Sequence, residues 1–136
     1  MENKNNLVGI VVVSHNKQLA QEIINFAKEM QHCDFAIENG GGLEGDTYGT
    51  NPLRILEALK KADRGSGVLI FLDMGSAVMN VEMALEMFGS EGEARVADVP
   101  LVEGVIAAVA GNFQGVTLDE LEEIAEESKT FNKKNN

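Results

Sequence analysis

The stretch Leu7-Val8-Gly9-Ile10-Val11-Val12-Val13-Ser14-His15 decides the fold. Its apolar part shows no polar alternation, so neither face is meant for water. A β-branched run of this kind reads as a strand buried on both sides, the pattern of a parallel sheet covered by helices. Polar residues begin abruptly at Ser14 and His15, and helical spacing follows. Leu19, Ile23, Phe26, Ala27 and Met30 recur at three- and four-residue steps, which predicts a helix with those residues on its buried face. A second apolar run, Val68-Leu69-Ile70-Phe71-Leu72, ends in the same way at Asp73-Met74-Gly75-Ser76-Ala77. Ligands in such sheets collect outside the carboxyl ends of the strands. If the two runs are neighbours, His15 and Asp73 emerge on one edge, where a carboxylate can orient an imidazole.

Outward from these runs the chain alternates strand and helix patterns. Residues 33–37 read as a short second strand. The glycine-rich loop Asn39-Gly40-Gly41-Gly42-Leu43-Glu44-Gly45-Asp46-Thr47-Tyr48-Gly49-Thr50 leads to Asn51-Pro52, a helix start with Asn51 as N-cap and Pro52 at the first position. That helix carries Leu53, Leu56 and Leu59 inward. The helix after Asp73 buries Ala77, Val81, Ala84, Leu85 and Phe88, with Met74 as packing. Residues 96–99 read as a fourth strand, ended or confined to an edge by Pro100. Two more helices are expected, one over 101–110 and an acidic one opened by the capping box Thr117-Leu118-Asp119-Glu120. The fold class is therefore α/β, a small doubly wound and mainly parallel sheet with helices on both faces. Residues 1–130 form one domain and 131–136 a polar tail. Right-handed crossovers bring the loops at 14–17, 39–51 and 73–77 to one edge.

Composition narrows the partners. The chain has 136 residues, enough for one domain, and a net charge of −11, which repels nucleic acid and anionic membrane and favours a basic protein surface. Cys33 is the single cysteine, so no internal disulfide forms and the cytoplasm is the natural compartment. The first apolar run stops at polar residues without a small-residue cleavage site, so it is a strand and not a signal peptide. No stretch reaches the roughly 18 apolar residues of a membrane span.

Several residues carry a chemical reading beside a plain one. His15 is either a structural residue or a nucleophile beside a helix N-terminus, where N–H groups and the helix dipole favour a phosphate. Asp73 is either a helix cap or the acceptor that fixes the imidazole tautomer and leaves its other nitrogen free. In the second case Gly75 and Ser76 offer N–H groups and a hydroxyl to a phosphoryl group. Thr50 is a turn residue or a further phosphate donor. His32 reads as a favourable charge near the C-terminus of the first helix. Gly40-x-Gly42-x-x-Gly45 matches the dinucleotide fingerprint but follows the second strand, and Glu44 and Asp46 would repel a pyrophosphate. No zinc spacing and no Walker A sequence are present, so neither metal nor nucleotide cofactor is expected. Glu120, Glu122, Glu123, Glu126 and Glu127 form a solvated face.

Taken together, Val11-Val12-Val13-Ser14-His15, Gly45-Asp46-Thr47-Tyr48-Gly49-Thr50, the segment from Gly67 through Asp73-Met74-Gly75-Ser76-Ala77, and Val99-Pro100-Leu101-Val102-Glu103-Gly104 resemble the phosphotransferase subunit of bacterial dihydroxyacetone kinase. The resemblance runs over nearly all of residues 7–118. That family is related to the mannose-type IIA domains of the sugar phosphotransferase system. The resemblance implies a homodimeric α/β phosphotransferase whose His15 accepts a phosphoryl group from phospho-HPr. It implies that Asp73 hydrogen-bonds this histidine and that the acceptor is ADP bound on the kinase's nucleotide subunit. It also implies a stand-alone form without appended HPr-like and enzyme I-like domains. The alternatives are a mannose-type IIA domain passing phosphate to a IIB domain, or a non-catalytic α/β ligand-binding module. Sugar-transporting IIA domains tend to carry a tryptophan-containing sequence after the aspartate, and Asp73-Met74-Gly75-Ser76-Ala77 fits the kinase subunit better.

Overall fold

The computed structural model describes residues 6–134. The first apolar run forms β1 (Gly9–Val13), buried along its whole length. Then come α1 (Lys17–Lys28), β2 (Ile37–Asn39), α2 (Pro52–Ala62), β3 (Val68–Leu72), a 3₁₀ turn at Gly75–Ala77 that runs into α3 (Val78–Phe88), β4 (Ala94–Val96), α4 (Leu101–Ala110) and α5 (Leu118–Glu126). The strands lie in the order β2-β1-β3-β4 and every pair is parallel. The expected α/β fold, a parallel sheet with helices on both faces, is therefore present.

Each face has its own core. Ile10, Val12, Leu69 and Phe71 pack with α1, α4 and α5, while Val11, Val13, Val68 and Ile70 pack with α2 and α3. Alternate residues of the same two strands thus feed opposite layers, and this is why neither run could contain a polar residue. Full burial of each such side chain contributes about 1.5–3 kcal/mol. The half-exposed ion pairs of Arg95 with Asp119 (2.6 Å) and Glu122 (3.0 Å), which tie β4 to α5, contribute roughly 1 kcal/mol or less by comparison. Apolar packing holds the sheet.

The chain leaves β1 toward β2 by α1 on one face, then crosses to β3 on the other side of β1 by α2 on the opposite face. The strand order reverses between β1 and β3, the point beyond whose carboxyl ends such sheets bind ligands. The register Val13↔Leu72 sets Ser14 and His15 beside Asp73.

Some expectations need correction. β2 begins at Ile37 and runs to Asn39 instead of covering 33–37, because Asn39 is held as a strand residue by its own side chain: Nδ2 donates to the Lys17 carbonyl (3.0 Å) and Oδ1 accepts from Gly41 N–H (2.9 Å). β4 is Ala94–Val96 and not 96–99, since its register starts at Val68↔Ala94. Leu19, Phe26 and Leu53 face solvent, being 47%, 54% and 65% exposed, and the smaller Ala20, Ala27 and Ala58 face the sheet and allow close approach. Leu56, Leu85 and Met30 are half-buried. Met74 is exposed and packs into no core. His32 stands beyond the end of α1 and stacks on Phe113, ring centroids 5.4 Å apart, instead of serving the helix terminus. The Asn51 and Thr117 caps and Pro52 at a helix start are as expected, as is the helix over 101–110.

Gly9 marks the tightest approach in the sheet: a Cβ there would overlap the backbone carbonyl of Ala62 at the end of α2. Gly9→Ala therefore forces α2 away from β1 and should destabilise the protein by about 1–3 kcal/mol. Urea unfolding of the two proteins measures this; an unchanged midpoint would show that α2 shifts freely.

Candidate active site

Ser14, fully buried, and His15 follow β1 directly, while Asp73 follows β3. The ladder extends into the loop, since Asp73 N–H donates to the Val13 carbonyl at 3.2 Å. One Asp73 oxygen, Oδ2, accepts from Ser14 Oγ (2.9 Å) and from the His15 backbone N–H (2.9 Å). The other, Oδ1, lies 2.9 Å from His15 Nδ1. A carboxylate only accepts, so Nδ1 carries the proton and Nε2 of the neutral ring keeps its lone pair. Ser76 Oγ lies 2.9 Å from Nε2 and can donate to it.

Burial acts to raise the Asp73 pKa, but donation from the His15 backbone, the His15 ring and the Ser14 hydroxyl outweighs it and holds the carboxyl below its ordinary value. Asp73 is therefore a carboxylate at neutral pH. The helix-cap reading fails, because neither the 3₁₀ turn nor α3 has a side-chain cap. The His15 side chain is 21% exposed and that of Asp73 15%, so both groups are partly shielded from solvent.

The glycine-rich loop wraps the β1–α1 turn. Gly42 N–H donates to the Ser14 carbonyl (2.9 Å) and Gly49 N–H to the His15 carbonyl (2.7 Å). A Cβ on Gly41 would strike the Ser14 backbone, and Gly42, at φ 74°, lies against Lys17. The glycines permit this contact, which accounts for their spacing without a nucleotide.

The sequence-predicted residues do not all meet. His15, Asp73 and Ser76 are in direct contact. Gly75 opens the 3₁₀ turn with clear space where a side chain would be. Thr50 sits at the end of the glycine loop, and its hydroxyl oxygen accepts from Asn80 Nδ2 at 2.6 Å, so it is bound to α3 instead of to His15. Two contributors were missed. Ser14 was visible as the one polar residue between a buried strand and the histidine. Asn80, four residues after Ser76, also donates to the Thr50 carbonyl (3.2 Å) and anchors the loop to the site. Among the described residues no group of three or more His, Cys, Asp or Glu could hold a metal ion, and no helix is long and apolar enough to cross a membrane.

An imidazole fixed by a carboxylate acceptor at one nitrogen, with a hydroxyl beside the other, can accept and release an electrophile such as a phosphoryl group. The comparisons agree with this class of chemistry. The family model of the PTS system fructose IIA component (EIIA-man) matches residues 9–124. The phosphotransferase subunit DhaM of the PTS-dependent dihydroxyacetone kinase of Lactococcus lactis subsp. lactis is 32% identical over 115 residues, covering 85% of this chain and 90% of that protein. The phosphoryl donor subunit DhaM of the PEP-dependent dihydroxyacetone kinase of Escherichia coli is 32% identical over 120 residues, 85% of this chain but 25% of that protein, so the chain spans about a quarter of its length. Among solved structures, that of a protein of unknown function aligns with a TM-score of 0.73 at 28% identity, covering 90% of this chain and 97% of the other. The chain belongs to the mannose-type IIA family of phosphotransferase-system components and is similar, within it, to DhaM subunits.

Proposed function

We propose that the protein is a cytoplasmic phosphohistidine carrier that takes a phosphoryl group from phospho-HPr onto His15 Nε2 and passes it to ADP bound on the nucleotide subunit of dihydroxyacetone kinase. The observation that carries this reading is the clamp of Nδ1 by Asp73, which leaves Nε2 as the single nucleophilic nitrogen of the ring. The DhaM relatives support the choice of kinase over sugar transport.

In the first step the Nε2 lone pair attacks phosphorus, the P–N bond of the donor breaks, and its electron pair returns to the donor imidazole. No proton moves. The His15 ring becomes cationic while Nδ1 keeps its hydrogen, and the Asp73 carboxylate lies 2.9 Å away to offset that charge. Ser76 Oγ now occupies the approach to Nε2, so its side chain rotates aside and donates to a phosphoryl oxygen. The N–H groups of Gly75 and Ser76, at a helix start, serve the same oxygens, and Thr50 stands behind them through Asn80. In the second step a β-phosphate oxygen of ADP attacks, and the N–P bond electrons return to Nε2. Any Mg²⁺ that neutralises the transferring charge would be held by the acceptor subunit.

Incubation with enzyme I, HPr and phosphoenolpyruvate should place one acid-labile phosphate on His15, and His15→Ala should abolish it with the fold intact. Label on His32 would overturn the assignment. The labelled protein should discharge rapidly to the ADP-loaded nucleotide subunit and slowly to free ADP; fast discharge to a mannose-type IIB domain with none to the kinase subunit would choose the sugar-transport alternative.

Asp73→Asn keeps an acceptor but loses the charge, so transfer should slow about tenfold or more in single-turnover rates. Its lowered pKa also sets a pH window. The stability that the carboxylate contributes is present above the ordinary aspartate value of about 4 and is lost as pH falls through the lowered folded value. Urea midpoints of the wild type and Asp73→Asn should therefore differ at pH 6 and converge in acid; a gap that persists in acid would mean the effect is not one of charge.

A further inference from the structure

Ser76, His15 and Asp73 stand in a row. Ser76 Oγ lies 2.9 Å from His15 Nε2, and His15 Nδ1 lies 2.9 Å from Asp73 Oδ1. A serine hydroxyl that donates to one imidazole nitrogen, while the other nitrogen donates to a carboxylate, is the arrangement of the hydrolytic triads, which are recognised by geometry and role and not by chain order. The carrier reading leaves this row unexplained, because there Ser76 must rotate away before the ring reacts. Each member is fixed from outside the row. Asp73 Oδ2 accepts from Ser14 Oγ and the His15 backbone, which keeps the carboxylate ionised and aimed at the ring. Ser76 caps neither the 3₁₀ turn nor α3, so its hydroxyl is left to the imidazole. Ser76 is exposed, as are Gly75 and Met74. A Cβ on Gly75 would meet nothing, so a carbonyl compound has room to approach.

We infer that the unphosphorylated protein has a second activity, the hydrolysis of carboxylic esters of short apolar acyl groups, with Ser76 as nucleophile and His15 as its general base. Ser76 Oγ attacks the carbonyl carbon while its proton passes to His15 Nε2, and the ring becomes an imidazolium beside the Asp73 carboxylate. The ester C–O bond then breaks, and the proton on Nε2 goes to the departing alcohol oxygen. Water attacks the acyl-serine and gives a proton to Nε2; that proton returns to Ser76 Oγ as the carboxylic acid leaves. The first hydrogen bond of the turn runs from Ala77 N–H to the Met74 carbonyl (3.1 Å), so the Gly75 and Ser76 N–H groups precede it and are donors for the oxyanion. A short apolar acyl group suits the surroundings, because exposed Met74 stands two residues before Ser76 and exposed Met79 one turn after it. Phosphate on Nε2 removes the base, so hydrolysis and phosphoryl transfer exclude one another. The inference goes beyond the carrier reading and does not depend on it.

The test is the reaction of the full, unphosphorylated chain with p-nitrophenyl acetate. Nitrophenolate release reads turnover. Acid quench keeps an oxygen ester and hydrolyses an acyl-imidazole, so peptide mass spectrometry of quenched samples reads which serine is acetylated and how fast. Acetyl should appear on Ser76 and not on exposed Ser90, beyond the far end of α3. Ser76→Ala, at an exposed position, should abolish the ester and bring release down to background. His15→Gln should slow acetylation of Ser76 by about a hundredfold or more, and Asp73→Asn by about tenfold or more, with circular dichroism showing each variant folded. Release from the wild type no faster than from Ser76→Ala, or acetylation of Ser76 at the wild-type rate in His15→Gln, would overturn the triad. A protein that fails this test and still takes phosphate on His15 remains a carrier; one that acetylates Ser76 and takes no phosphate keeps the triad and loses the carrier reading.

Discussion

The parallel pairing of β1 with β3, in the register Val13↔Leu72, is the constraint on which the site depends. Side chains alternate between faces along a strand, so a slip of one residue would exchange the two cores and point His15 and Asp73 into different layers. The register is held by apolar residues on both faces, Ile10, Val12, Leu69 and Phe71 on one and Val11, Val13, Val68 and Ile70 on the other. Past the last ladder residues the same register continues as polar contacts: Asp73 accepts from Ser14, from the His15 backbone and from the His15 ring. Desolvation of the carboxylate opposes this arrangement, and three donors on two oxygens overcome it. The imidazole is thereby oriented by the sheet and not by a mobile loop.

The glycine loop follows from the same constraint. The β1–α1 turn must stay narrow to keep His15 over Asp73, and a second chain segment must cover it to satisfy its carbonyls. Gly42 and Gly49 supply N–H groups to Ser14 and His15, and the Gly41 backbone comes too close to Ser14 for any side chain. The resulting spacing imitates a dinucleotide fingerprint by coincidence of need, since close backbone approach is required in both cases. Here the neighbour is the chain itself.

Legibility of the sequence tracked how long and how uniform each signal was. β1 and β3 were readable because five buried residues in a row have no other economical placement. β2 and β4 are three residues each and lie at the sheet edges, where polar Asn39 and Arg95 are tolerated, so apolar runs located them only to within a few residues. Helix spans were visible from caps, yet their faces were misread for Leu19, Phe26 and Leu53, because spacing alone does not say whether alanine or the larger residue abuts the sheet. The contact of His15 with Asp73 was legible from two strand ends. Asn80 was not, since its role depends on how α2 and α3 bring Thr50 within reach, a distance that spacing along one helix does not contain.

Charge explains why such a site would suit a carrier better than a store. A phosphoryl group on Nε2 adds negative charge to a chain whose net charge is already −11, close to the ionised Asp73. The same carboxylate favours the cationic ring that the P–N bond creates, so it stabilises the imidazolium and repels the phosphoryl oxygens at once. The two effects would partly cancel, which would leave a phosphohistidine at this position a strong donor. Ser76 and the helix-start N–H groups offer neutral donors instead of a guanidinium or ammonium, enough to guide the group in flight and too little to trap it. In the proposed carrier, basic groups would enter with the partner, which would tie strong phosphate stabilisation to the moment of transfer and let an acidic protein hand its cargo on.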